Sequence, residues 1–362
     1  MIAGDQQPRL VDVAKRAGVS TTTASLVLNG KANSIPESTQ QRVSLAAAEL
    51  GYRANSMARN FRLQRSMTLA LVSDEIATQP FAGELIKGAQ EAAWAARYML
   101  VVVDTAGHPE RERHTLEELR HRNVDGILFG ATYHQVVDPP KVLGDTPTVL
   151  VDARDIDGAF TSVVPDEVRG AYDAVTHLVA AGHRRIGYLQ NDADIPATAL
   201  RLEGYVQALA DAGIDFDESL VEVTIPEHRG VSVEATRRLL ERPDRPTALF
   251  CFSDRAAVGA YGAARLLGLT IPDDLSIIGF DNLELVAGWV DPGLTTMQLP
   301  HQAMGAWAVE RLVRLIDGAD GRPKQHLMPC PLVERGSVAS PPSLPEVHGR
   351  GRANEASAPS RN

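Results

Sequence analysis

Residues 10–29 read LVDVAKRAGVSTTTASLVLN. Two short segments with apolar residues at helical spacing flank Gly18, which predicts two helices joined by a tight turn. Ala14 supplies a small side chain where such helices touch, Gly18 can take the left-handed backbone that the turn requires, and Ser20 suits the start of the second helix. Ala24, Val27 and Leu28 stand at i, i+3 and i+4 and should pack inward, leaving Thr21, Thr22, Ser25, Leu26 and Asn29 on other faces. A third helix is expected from Glu37 to about Leu50, with Val43, Ala46, Ala47 and Leu50 as its core stripe. This is the pattern of a helix-turn-helix, whose outer face can meet base edges. Taken alone, the same spacings also fit an ordinary three-helix bundle.

Beyond the head, short apolar runs alternate with helical segments. TLALVS, MLVVVD, VDGILFG and PTVLVD come first, then RRIGYLQ, TALFCF and LSIIGF, with stretches such as GELIKGAQEAAWAARY and SDRAAVGAYGAARLLG between them. That alternation predicts parallel α/β sheets. The strands fall into two comparable sets broken near residue 160, so two lobes are expected, with ligand loops at the strand ends facing a cleft. The boundaries read as 1–53 for the head, 54–66 for a hinge and linker, 67–338 for the two-lobed body and 339–362 for a tail. The tail is rich in Pro, Ser, Gly and charge and should be disordered.

The chain of 362 residues has a net charge of −10, yet residues 1–65 carry nine basic and four acidic side chains, a net of +5. A basic head on an acidic body can bind phosphates with the head alone. No apolar run is long enough to span a bilayer, and the first twenty residues are charged, so a cytoplasmic protein with no membrane partner is expected. Cys251 and Cys330 stand alone, without metal-ligand spacing, so neither a disulfide scaffold nor a metal is expected. Nucleophile elbow, P-loop, GxGxxG after a strand and HExxH are all absent, which predicts no enzyme activity and no cofactor. His108, His114, His121 and His134 lie in polar surroundings and read as solvated.

The head motifs VDVAKRAGVSTTTASLVLNG and TQQRVSLAAAELGYRANSMARNFR closely resemble the LacI/GalR family. The resemblance continues to about residue 338 through DGILFG, AAGHRRIGYL, RLEGYVQAL, RPTALFCFSDRAAVGA, GFDN and LTTM. It implies an all-α helix-turn-helix head, a hinge helix, and an α/β two-lobed core similar to periplasmic binding proteins. It further implies a homodimer on a pseudo-palindromic double-stranded operator, acting as a repressor under a small-molecule effector. The start of the second helix would then enter the major groove, placing Thr21, Thr22, Thr23, Ser25, Leu26 and Asn29 at the DNA. Leu26 departs from the basic or imidazole residue common in relatives and offers only apolar contact, for example to a thymine methyl. In the hinge, Phe61 matches the apolar wedge of the minor groove, with Arg59 and Arg62 beside it.

Cleft positions of the family match Asp74, Phe81, Asp152, Arg201, Ile225, Ser253 and Asp281. Carboxylates with a guanidinium and an aromatic face suit a sugar or sugar derivative. Ile225 replaces an aromatic residue of many relatives, which keeps a non-sugar metabolite open as the effector. Asp152, Ser253 and Asp281 end or follow strands, where short polar residues also cap turns. The rival readings are a ligand-binding protein with no DNA role and an enzyme on the same α/β layers.

Overall fold

The computed structural model describes residues 8–28, 32, 34–52, 65–77, 80–225, 228–319 and 323–342. The chain divides into two units, Met1–Met67 and Thr68–Asn362. Asn29, Arg59, Phe61, Arg62 and the hinge helix lie outside the described residues, as does the tail beyond 342.

In the first unit α1 (Leu10–Ala17), α2 (Thr21–Leu28) and α3 (Glu37–Glu49) enclose one small core. Val13, Ala14, Ala17, Ala24, Val43, Ala46 and Ala47 are buried in it. Small side chains dominate because helices this short must approach closely to exclude water. Gly18 has φ 65°, and Val19 N–H bonds to the Ala14 carbonyl at 3.0 Å, which closes α1 and turns the chain. Ser20 opens α2 by accepting the Thr23 backbone N–H at 3.0 Å. The exposed Arg16–Glu49 pair, at 2.6 Å, adds little in water.

The second unit holds two six-stranded sheets. The first contains β1 (Thr68–Ser73), β2 (Met99–Asp104), β3 (Gly126–Val137), β4 (Thr148–Asp155), β5 (Thr161–Pro165) and β11 (Gln325–Met328), in the order β11-β5-β4-β3-β1-β2 and parallel throughout. The second contains β6 (Ile186–Asn191), β7 (Val221–Thr224), β8 (Ala248–Cys251), β9 (Ser276–Asp281), β10 (Thr295–Gln298) and β12 (Leu332–Val333), in the order β12-β10-β9-β8-β6-β7. Only the short β10–β12 pair is antiparallel. Near-continuous buried apolar strands, as in β1, β8 and β9, are what a sheet covered by helices on both faces demands.

The chain passes from the first sheet to the second after Pro165. It returns when the helix His301–Ile316 packs on the helix Ala82–Ala95 and β11 joins β5, then crosses again to β12. Three crossings therefore join the lobes, where the sequence shows one break near residue 160. Among the described residues no helix is long and apolar enough to cross a membrane.

One expectation for the body needs correction. Ala339 belongs to the ordered second lobe: its N–H donates to Ser276 Oγ at 3.0 Å, and its carbonyl is 2.9 Å from His183 Nε2. A carbonyl only accepts, so Nε2 carries the proton and Nδ1 accepts from the Thr247 hydroxyl at 2.8 Å.

Candidate effector cavity and DNA-facing helix

A cavity of about 300 Å³ opens between the two sheets, walled by strand ends and helix starts of both lobes. Of the residues expected at the cleft, Phe81, Asp152, Arg201, Ser253 and Asp281 line it. Asp74 and Ile225 do not. The half-buried Asp74 instead accepts the Thr132 hydroxyl at 2.5 Å and the Glu75 N–H at 2.9 Å, ordering the loop after β1 and fixing Thr132, which does reach the cavity. Ile225 lies just after β7, where its carbonyl accepts the His228 N–H at 2.8 Å.

Arg201 anchors the second-lobe wall from the helix Pro196–Asp211. Its Nε donates to Glu167 Oε2 at 2.7 Å, and the two side chains are 4% and 2% exposed. Its Nη1 donates to the Phe252 carbonyl, and Asp281 Oδ1 is 3.8 Å away. The guanidinium lies between the Phe280 and Phe252 rings, with Cζ 3.7 Å and 4.3 Å from their centroids. Such stacking and pairing suit the planar, weakly hydrated guanidinium and would fail for lysine. Of the fork expected to meet a ligand, two arms are thus committed to the protein. Glu167, the first residue of the helix Glu167–Ala180, was not among the expected residues; it looks like an ordinary acid in a first helical turn.

Asp281 ends β9 with φ 115° and is followed by Asn282 with φ 54°. This strained turn is tied down by Asp254, which accepts the Leu283 N–H at 2.7 Å and the Thr296 hydroxyl at 2.6 Å. Burial pushes the Asp281 carboxyl well above the usual carboxylate range, against the opposing pull of Arg201. Burial likewise raises Asp254. Ser253 serves the next helix as its cap, accepting the Ala256 N–H at 3.2 Å, while also facing the cavity.

The first-lobe wall carries the stacked rings of Phe81 and His301, 4.5 Å apart at an interplanar angle of 7°. His301 Nε2 is 3.7 Å from Asp152 Oδ2. Asp152 has φ 54° and stands opposite an irregularity in β3: Gly130 pairs with Val151 and Gln135 with Ala153, so residues 131–134 oppose Asp152 alone. A bulge of this kind re-aims side chains. Here it brings Thr132, Tyr133 and His134 to the cavity. His134 is therefore not solvated as its polar surroundings implied; it is 4% exposed.

On α2, Thr21, Thr22 and Leu26 are exposed and Thr23 and Ser25 half-buried. The Thr23 hydroxyl is 2.8 Å from that of Ser20, so it helps hold the helix start.

Residues 9–55 match the family of bacterial regulatory proteins, lacI family, and residues 175–338 match the periplasmic binding protein-like domain. The chain is 33% identical to the HTH-type transcriptional repressor CytR of Escherichia coli (strain K12) over 343 residues, 91% of this chain and 96% of that protein. It is 33% identical to the ribose operon repressor of the same strain over 331 residues, 90% of this chain and 98% of that protein. The solved transcriptional regulator CelR–cellobiose complex matches with a TM-score of 0.64 at 29% identity, covering 91% of this chain and 99% of that one. With its helix-turn-helix head and two parallel-sheet lobes around a cavity, the chain belongs to the lacI family and is a DNA-binding transcriptional repressor with an effector-binding body.

Proposed function

We propose that the protein is a cytoplasmic homodimeric repressor whose paired heads bind the half-sites of a pseudo-palindromic operator. A small hydroxylated effector, sugar-like in its chemistry, occupies the cavity between the lobes and is bound without being turned over. The observation that carries this reading is the buried Arg201–Glu167 pair at the wall of a cavity lined from both lobes, an arrangement that adds little net stability to the fold and sits where a ligand would be held. The ribose operon repressor and the CelR–cellobiose complex support effectors of this chemistry by likeness.

Within each head, Thr21, Thr22, Thr23, Ser25 and Leu26 of α2 meet the major groove, together with Asn29. Arg59, Phe61 and Arg62 act in the minor groove between half-sites. Dimerisation is favoured by apolar side chains left in water on both lobes. Trp94 and Met99 are 80% and 66% exposed beside the edge strand β2, and Leu285 and Trp289 are 80% and 79% exposed on the second lobe. An effector that prefers one lobe arrangement changes operator affinity, and by linkage the operator changes effector affinity by the same factor. Sequencing the genomic fragments retained by the protein, then titrating one such fragment with and without candidate effectors, tests the reading. Retained fragments without a common two-fold element, or an operator affinity indifferent to every ligand that binds, would overturn it.

A further inference from the structure

The cavity wall holds polar groups that the fold itself does not use. His134 is 4% exposed and lines the cavity, and neither ring nitrogen makes a hydrogen bond among the described residues. Asp152 Oδ1, equally buried and on the same wall, makes none either. Buried polar atoms without partners cost stability, and an apolar side chain of similar shape would fit the fold better. Both groups sit where the β3 bulge faces Asp152, so their position is built by the backbone.

Their chemistry restricts what can satisfy them. Burial holds the His134 imidazole below its ordinary value, so it is neutral and presents one donor and one acceptor. Asp152 adds an acceptor, and the stacked Phe81–His301 rings give a flat apolar face. Charge on the walls restricts the ligand further. Asp152, Glu167 and Asp192 stand against Arg201 and Arg255, and Arg201 is already paired with Glu167. A phosphate would meet more like charge than opposite charge.

We propose that His134 is a specificity-determining contact of the effector cavity, and that with Asp152 it selects an uncharged hydroxylated ring over the phosphate ester of the same ring. The inference rests on the effector occupying this cavity.

The test uses the full chain and matched probes: D-ribose, D-glucose and adenosine, each beside its phosphate ester, in thermal-shift and calorimetric titrations. An uncharged member should bind at least about tenfold more tightly than its ester. His134→Phe should weaken that binding at least about tenfold while melting at or above the wild-type temperature, because it removes unpaired polar atoms. His134→Gln, which keeps a donor and an acceptor, should retain more affinity than His134→Phe. Esters that bind as tightly as the free rings, or no binding by any uncharged probe, would overturn the ligand class. Unchanged affinity in both His134 variants would overturn the role of His134. Ala193→Trp fills the cavity: binding lost there but kept in His134→Phe rejects only the histidine, whereas binding kept in both rejects the cavity itself.

Discussion

Arg201→Met should destabilise the body far more than a binding-site truncation normally does. The side chain is buried, pairs with a carboxylate that is 2% exposed, and supplies the Phe252 carbonyl with its donor. Removing one partner of such a pair leaves a buried charge uncompensated, a loss of about 3–5 kcal/mol. The Asp281 carboxyl adds little, since burial already pushes it toward its neutral form. A body of this size loses roughly 2 °C of melting temperature per kcal/mol, so the single variant should melt on the order of 6–10 °C below wild type. Arg201→Met/Glu167→Met removes both charges and should recover most of the loss, because well-packed apolar groups replace a buried pair at little or no cost. Both variants should fail to respond to effector. Calorimetric melts of the ligand-free proteins give the comparison, as midpoints, because a chain of two units need not unfold in one step. A single variant melting within about 2 °C of wild type, or a double variant melting below the single, would refute the argument.

Phe61→Ala should weaken binding to the operator while hardly changing binding to random DNA, since a wedge acts only where the duplex is kinked; equal losses in gel-shift titrations on both DNAs would reject that role. Gly18→Val should cost the head roughly 1–2 kcal/mol, because Gly18 has φ 65° and a β-branched residue resists that backbone. Circular dichroism melts and operator titrations should fall together, and an unaltered melt would show that the turn does not need glycine. His183 is buried in a neutral bridge between Thr247 and Ala339, and burial lowers its pKa. A depressed histidine stabilises the fold fully above its unfolded value of about 6.5, and that stability is lost as pH falls below it. The melting temperature should therefore drop between about pH 7 and about pH 5, and His183→Asn should flatten the drop; equal slopes would remove His183 from the explanation.

What could be read from the sequence followed from local chemistry. The three head helices are legible because Ala14, Gly18 and Ala24 each do one local thing: pack, turn, pack. Strands β1, β8 and β9 are legible as unbroken apolar runs of buried parallel sheet, and the edge strand β2 as an apolar run although none of its residues is buried. β11, with the residues QHLM, is not: every second residue is exposed at the sheet edge, and its partner β5 lies far back in the chain. For the same reason nothing in the pattern of the helix His301–Ile316 says that it returns to the first lobe, because periodicity records which face is buried and not against what.

The site divides along the same line. Arg201 and Asp281 were found by likeness to the family, yet the chemistry of Arg201 here is set by Glu167, which is 34 residues from it in the chain and indistinguishable locally from a solvated acid at a helix start. Ser253 shows why a polar residue after a strand is ambiguous, since it caps the next helix and faces the cavity at once. His134 shows the opposite error. In ATYHQVVD it reads as a surface residue because its neighbours are polar, but the bulge opposite Asp152 turns that polar run into a cavity wall. A register shift has no composition of its own, and a buried unpaired polar group becomes visible only when the partners it lacks can be counted in three dimensions. In this chain the polar run that interrupts the otherwise apolar strand β3 is therefore cavity wall that the sequence alone assigns to solvent.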